Sequence, residues 1–172
     1  MSGSVEIKGL AELHKALQAL PANIERNVLR GGLRAGGNVL ADAARLRVPE
    51  GPPSAQNARL YGTRAGELKR SIRVSMRASS KTGTVRATVK AGNAKAFYAH
   101  MVEFGTARHW IKPKNRKSLF LAGLFKEVVD HPGMKPMPFM RPAFDGYWQR
   151  AISTMADYIR ARLPKELKKA GK

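Results

Sequence analysis

A chain of 172 residues suffices for one domain with a real core, burying roughly 70% of its unfolded surface, yet it carries 32 lysines and arginines against 12 acids, a net charge of +20. The absence of cysteine excludes a disulfide framework and a thiolate zinc site, and the longest apolar runs, such as residues 119–122, fall far below the roughly 20 residues that cross a bilayer. With no apolar signal segment after Met1, the expectation is a protein of the cytosol, or of a particle assembled there, that is drawn to polyanions.

Residues 5–8 alternate with the period of two expected of a half-buried strand, and Gly9 breaks the run. Leu10, Leu13, Leu17 and Leu20 then recur at three and four residues, one face of an amphipathic helix ending before Pro21. Pro21 suits the first turn of a second helix. Its apolar positions include Ile24, Val28, Leu33, Leu40 and Leu46, and Gly31, Gly32, Gly36 and Gly37 interrupt it. Each interior glycine costs a helix about 0.5–1 kcal/mol relative to alanine, so these four imply either close packing against another element or a kink. From 48 to 66, proline, glycine and polar residues leave no apolar periodicity; a long loop or arm is expected, ordered by neighbouring molecules.

Ile72, Val74 and Met76 alternate with Arg73, Ser75 and Arg77, and after a turn over 78–83, Val85, Ala87 and Val89 alternate with Arg86, Thr88 and Lys90. This predicts a hairpin with one basic face, Arg73, Arg77, Arg86 and Lys90. It lies in a stretch, 59–95, with ten cations and a single acid, Glu67. Residues 97–104 make one or two helical turns with Tyr98, Met101 and Val102 inward and Gly105 as the stop. The five cations of 108–117 fall in a turn-rich connection; 119–129 reads as one or two strands with a break near Gly123, ended by His131, Pro132 and Gly133. Pro142 opens a helix whose Phe144, Trp148, Ile152, Met155 and Ile159 form a broad apolar stripe, and a basic tail over 164–172 frays. The sum is an α+β fold, an antiparallel sheet of about four to five strands packed by N-terminal helices and a C-terminal helix, in a single domain over 1–163.

Little here points to catalysis. His100 and Glu103 share a helical face at i, i+3 with His109 nearby, but the spacing lacks the second histidine of an H-E-x-x-H helix. Glu103, Asp130 and Asp145 lack the D-x-D or E-x-K spacing of a nuclease metal cluster, and no Ser-His-Asp, P-loop or dinucleotide motif occurs. No catalytic residue, metal or cofactor is assigned. Glu103 is expected to bond a basic side chain or backbone donors and so hold the Gly105 turn. Pro138 and Pro142 stiffen the segment between them by fixing φ. Phe139 then reads as an anchor for an apolar pocket and Arg141 as a partner for a carboxylate, Glu103 or one on a neighbouring subunit. An ordinary helix N-terminus with a packed phenylalanine is the equal alternative.

The run Phe97-Tyr98-Ala99-His100-Met101-Val102-Glu103-Phe104-Gly105-Thr106, answered by His131-Pro132-Gly133 and by Pro138-Phe139-Met140-Arg141-Pro142-Ala143-Phe144, resembles the neck (tail-completion, or head-tail connector) family of long-tailed phages. There, YAH-x-VEFGT, H-P-G and P-F-(L/M)-R-P-A blocks lead into a C-terminal helix. Gly66-Glu67-Leu68-Lys69-Arg70-Ser71-Ile72 is similar to the family's T-G-x-L-x-x-S-I element, with Ala65 where threonine is usual, and the likeness covers about residues 5–160. The resemblance implies a virion protein without catalysis, built as a hexameric ring in the neck and assembled in the host cytoplasm. Its partners would be copies of itself, the head-side connector or stopper, the tail terminator, and double-stranded DNA passing without sequence specificity; no membrane is involved. Tyr98, His100, Glu103, Phe104, Gly105, His131, Gly133, Pro138, Phe139, Arg141 and Pro142 would be its structural and docking residues, with the hairpin cations facing the channel. Two other classes stay open. A free nucleic-acid-binding protein would bind DNA as a monomer with steep salt dependence, and a metal-dependent nuclease would lose activity when Glu103 or His100 is changed.

Overall fold

The computed structural model describes residues 12, 15, 22–51, 62, 64–79, 84–114, 117–121 and 123–169. In chain order they form α1 (Ala22–Arg47), α2 (Glu67–Ser71), β1 (Arg73–Ala78), β2 (Val85–Lys90), α3 (Ala99–Phe104), β3 (His109–Ile111), β4 (Leu119–Leu121), β5 (Leu124–Lys126), β6 (Val129–His131) and α4 (Met140–Lys169). The strand expected over 5–8 lies outside the described residues. So do the helix over 10–20, except for the helical Glu12 and Lys15, and most of the arm expected over 48–66.

The glycines of α1 are there for close packing, and the helix runs unbroken through them for 26 residues. A Cβ on Gly36 would lie 2.7 Å from the carbonyl oxygen of Ala151 in α4, and one on Gly32 would lie 2.8 Å from the Ile159 side chain. Gly37 faces the other way and admits Val74 of β1, 2.9 Å from where its Cβ would be. The helix therefore gives up propensity in order to lie against both α4 and the hairpin. Two apolar clusters result. One joins Val28 and Ile159 with Met155, Leu163 and Leu167; the larger gathers Ala41, Ala44, Leu68, Ile72, Val102 and Phe139 between α1, α2, α3 and the start of α4.

The α+β class holds, but the described residues do not form the expected sheet of four or five strands. Among the described residues the six strands form three antiparallel pairs, β1–β2, β3–β6 and β4–β5. The reason is local. The chain leaves through Thr106 and returns through Met134, whose backbones exchange hydrogen bonds of 2.9 and 3.0 Å. Between them β3 pairs with β6, and β4 with β5 further out. These short strands satisfy one another along one excursion instead of extending the β1–β2 hairpin. Most described residues of that excursion are exposed, so it stands out as an arm. The turn-rich connection expected over 108–117 accordingly contains β3. Nor does the basic tail fray at 164: α4 continues through Pro164 to Lys169. Leu163 and Leu167 pack on the Val28–Ile159 cluster there, and Arg162 pairs with Glu166 at 2.7 Å.

Candidate functional site

The first turn of α4 is a place where backbone donors need a partner, because the leading N–H groups of a helix have none within it. Glu103 supplies one from α3. Its carboxylate accepts from the N–H of Phe139 at 2.7 Å, of Met140 at 2.9 Å and of Arg141 at 3.0 Å. The next residue, Pro142, has no N–H to satisfy, which is why proline is welcome there. Burial, with 9% of the residue exposed, pushes the Glu103 carboxyl up; the three N–H donors and the Arg141 charge outweigh it and hold the group below its ordinary value. Arg141 thus meets Glu103 through its backbone, and its exposed side chain is not part of the bond. Phe139, 1% exposed, is buried in the larger cluster of its own chain.

The same motif block builds the root of the arm. Gly105 and Gly133 have positive φ, 73° and 86°, a region L side chains rarely adopt. A Cβ on Gly105 would also lie 2.5 Å from the Met134 carbonyl oxygen. Between these glycines runs the Thr106–Met134 bridge. The N–H of Gly133 donates to Nδ1 of His131 at 3.1 Å, and the His131 ring stacks on His109, centroids 4.9 Å apart. Behind the root, the Met137 N–H donates to the Val102 carbonyl at 2.8 Å. Tyr98 is half-buried, and burial pushes its phenol up, helped by the Glu67 carboxylate. His100 and Phe104 are exposed on α3, beside Arg141 and Asp145 along a cleft that Glu103 also lines. Pro138 is exposed just before Phe139.

The four hairpin cations share one face. Register sets Arg73 opposite Lys90 and Arg77 opposite Arg86, with Val74–Val89 and Met76–Ala87 on the other side toward α1. Arg77 and Arg86 are exposed, Lys90 half-buried. Arg73 is partly committed: its guanidinium donates to the carbonyls of Ser71 at 3.0 Å and Gly92 at 2.6 Å. Like charges directly opposite one another destabilise an antiparallel pair, so this face is short of anions. It is separate from the Glu103 clamp, and His100 and Glu103 are not joined by His109, which belongs to the arm. No three His, Asp or Glu groups among the described residues come together as metal ligands.

Sequence reasoning missed the arm as a unit, though the pattern of 119–126 about Gly123 announces its tip. It also missed the fork from Arg108 to both carboxylate oxygens of Asp130, which ties β3 to the neighbouring β6 and holds the Asp130 carboxyl below its ordinary value. Compared with known proteins, the chain matches over residues 11–105 the model of the HK97-gp10-like family, described as a candidate tail component of bacteriophage HK97, gp10. No curated protein and no solved structure matches it.

Proposed function

The chain belongs to the HK97-gp10-like family of bacteriophage proteins, and from that premise we propose that it is a ring-forming subunit of the phage neck, joining the DNA-filled head to the tail around the DNA channel. A tail-component family carries a structural role in the virion. Ring closure as a hexamer, the head-side stopper and the tail terminator as neighbours, and passage of duplex DNA are the finer parts of the reading.

The observation that supports a channel-facing surface is the pairing of like charges across the hairpin, Arg77 with Arg86 and Arg73 with Lys90. Phosphates lying over that face relieve the repulsion, whereas water and salt only screen it. Six copies at +20 each carry 120 net positive charges, and self-repulsion on that scale opposes closure unless a polyanion or an acidic neighbour compensates. The isolated protein is therefore expected to stay monomeric at low salt and to form rings with duplex DNA.

Measuring DNA affinity against salt tests this. Each phosphate neutralised contributes about 0.9 to the slope of log affinity against log salt, so Arg77→Ala with Arg86→Ala lowers the slope by about 2. An unchanged slope, or a reconstructed neck with these side chains on its outer wall, overturns the channel assignment. DNA cleavage with magnesium that disappears in Glu103→Gln would replace the structural reading by the nuclease.

A further inference from the structure

We propose that the tip of the arm, the β4–β5 hairpin, docks in the apolar groove between α1, β2 and α4 of a second copy of this chain, each subunit holding the next head to tail. The contact stands on the tip and the groove themselves; it rests on the neck-ring reading only for closure.

One face of the tip is made by two phenylalanines. Phe120 and Phe125 are cross-strand partners with rings 5.1 Å apart, and they are 66% and 75% exposed. Alternation puts Leu119, Leu124 and Lys126 on the opposite side, where Leu124 is also largely exposed. A lone two-stranded hairpin is marginal in water, and nothing among the described residues covers the phenylalanines of this one. Exposed apolar surface rimmed by charge marks an interaction site.

The same chain carries a receptor. Leu33 and Leu40 of α1, Val89 of β2, and Phe144, Trp148 and Ile152 of α4 line a groove of about 240 Å³ with the glycines Gly36 and Gly37 in its floor. An apolar cavity of about 150 Å³ admits benzene, so a phenyl ring fits this one.

Charge decides the occupant. At the tip stand two exposed lysines, Lys117 before β4 and Lys126 at the end of β5, and one exposed acid, Glu127. Phe144 lines both this groove and the cleft beside it, and Asp145, the next residue, lies in that cleft, exposed, with no ion pair among the described residues. Asp42, Glu50, Glu67, Asp130, Asp157 and Glu166 are each taken by a cation of their own chain, whereas Glu12, Glu25 and Glu127 share with Asp145 the lack of an ion pair among the described residues. In a molecule with so large a cationic excess, an acid left free beside an apolar groove suits a partner that brings an apolar knob between lysines, and the arm is such a knob. A phosphate backbone offers neither apolar surface nor a positive charge for Asp145.

Tip and groove are different patches, so the contact is heterologous and repeats around a ring or along a filament. It is also weak singly. Two phenylalanines bury about 300–500 Å², short of the roughly 800 Å² per partner of a stable interface; a subunit in a closed ring makes the contact twice.

The chain has no cysteine, so introduced thiols report without background. Phe125→Cys protein is mixed with Ile152→Cys protein, with short duplex DNA present, and oxidised. The expected result is a mixed disulfide dimer formed several-fold faster than from Phe125→Cys with Asn27→Cys, whose thiol lies on the exposed side of α1. Asp145→Lys in the Ile152→Cys chain lowers the yield, and Lys126→Glu in the Phe125→Cys chain restores it. If wild type forms rings but the mixed pair links no faster than the control, the docking proposal falls and the ring reading stands. If the pair links while light scattering finds only open chains, the docking stands and the ring falls. Absence of both linkage and assembly removes both, and linkage of Phe125→Cys only to itself assigns the tip to a symmetric contact and refutes the groove.

Discussion

Glu103→Gln tests the clamp that ties α3 to α4 with almost no change of shape. The carboxylate accepts three backbone N–H groups through two oxygens; the amide keeps one oxygen and turns an NH2 group toward a donor. At least one buried N–H is orphaned, which costs about 1–3 kcal/mol. Loss of a negative charge at a helix N-terminus adds about 0.3–2 kcal/mol. The expected destabilisation is then about 2–4 kcal/mol, or a melting temperature lowered by roughly 5–15 °C for a chain of this size. pH supplies the control. The folded carboxyl is held below its ordinary value near 4.5, so its stabilisation is fully present above that value and is lost as pH falls through the folded one. Wild type and variant should therefore differ by a constant amount near pH 7 and converge under acid. Calorimetry from pH 7 down to about 3 reads both features. Equal melting at pH 7, or a gap that persists unchanged in acid, would refute the claim that the charged carboxylate holds the helix.

Phe139→Ala should cost about 3–5 kcal/mol, as a fully buried phenylalanine does; urea unfolding that leaves stability intact would show that the clamp needs no apolar anchor behind it. Gly36→Ala gains about 1 kcal/mol of helix propensity, yet its Cβ would lie 2.7 Å from a backbone oxygen of α4 that no rotamer change can move. Net destabilisation is expected in thermal melts, and a more stable variant would mean that the two helices can separate at no cost.

The sequence was informative wherever an element's neighbours lie close along the chain. Alternation at 72–76 and 85–89 sufficed for the β1–β2 hairpin and its basic face, and four glycines sufficed to demand a close neighbour for α1. It was less so for long-range pairing. Short strands such as His109–Ile111 carry too few positions for alternation to say which strand they join, so three local pairs were read as one sheet. The bond from Glu103 to residues 36 to 38 positions away leaves no periodic trace; only the acid itself hinted at backbone donors. Hydropathy misleads at Phe120, Phe125 and Phe144, which look like core and are exposed, because apolar residues destined for a partner have the same composition as those destined for the interior.

What the motif block does becomes clearer from the atoms it uses. Glu103 holds the N–H groups that open α4, Met137 is bonded to Val102, and Gly105 and Gly133 allow the backbones of Thr106 and Met134 to meet. Most of these contacts pass through main chain, and all surround the root of the arm. A knob that must find a groove on another molecule loses affinity for every freedom it has to surrender on docking. Fixing the root to α3 and α4 moves part of that entropy loss from assembly to folding, where the core built on Phe139 and Val102 offsets it. On this reasoning the clamp and the tip are one device at two distances. Loosening the clamp with Glu103→Gln should weaken assembly by more than the loss of folded protein accounts for, while a tip variant should weaken assembly and leave the melt unchanged.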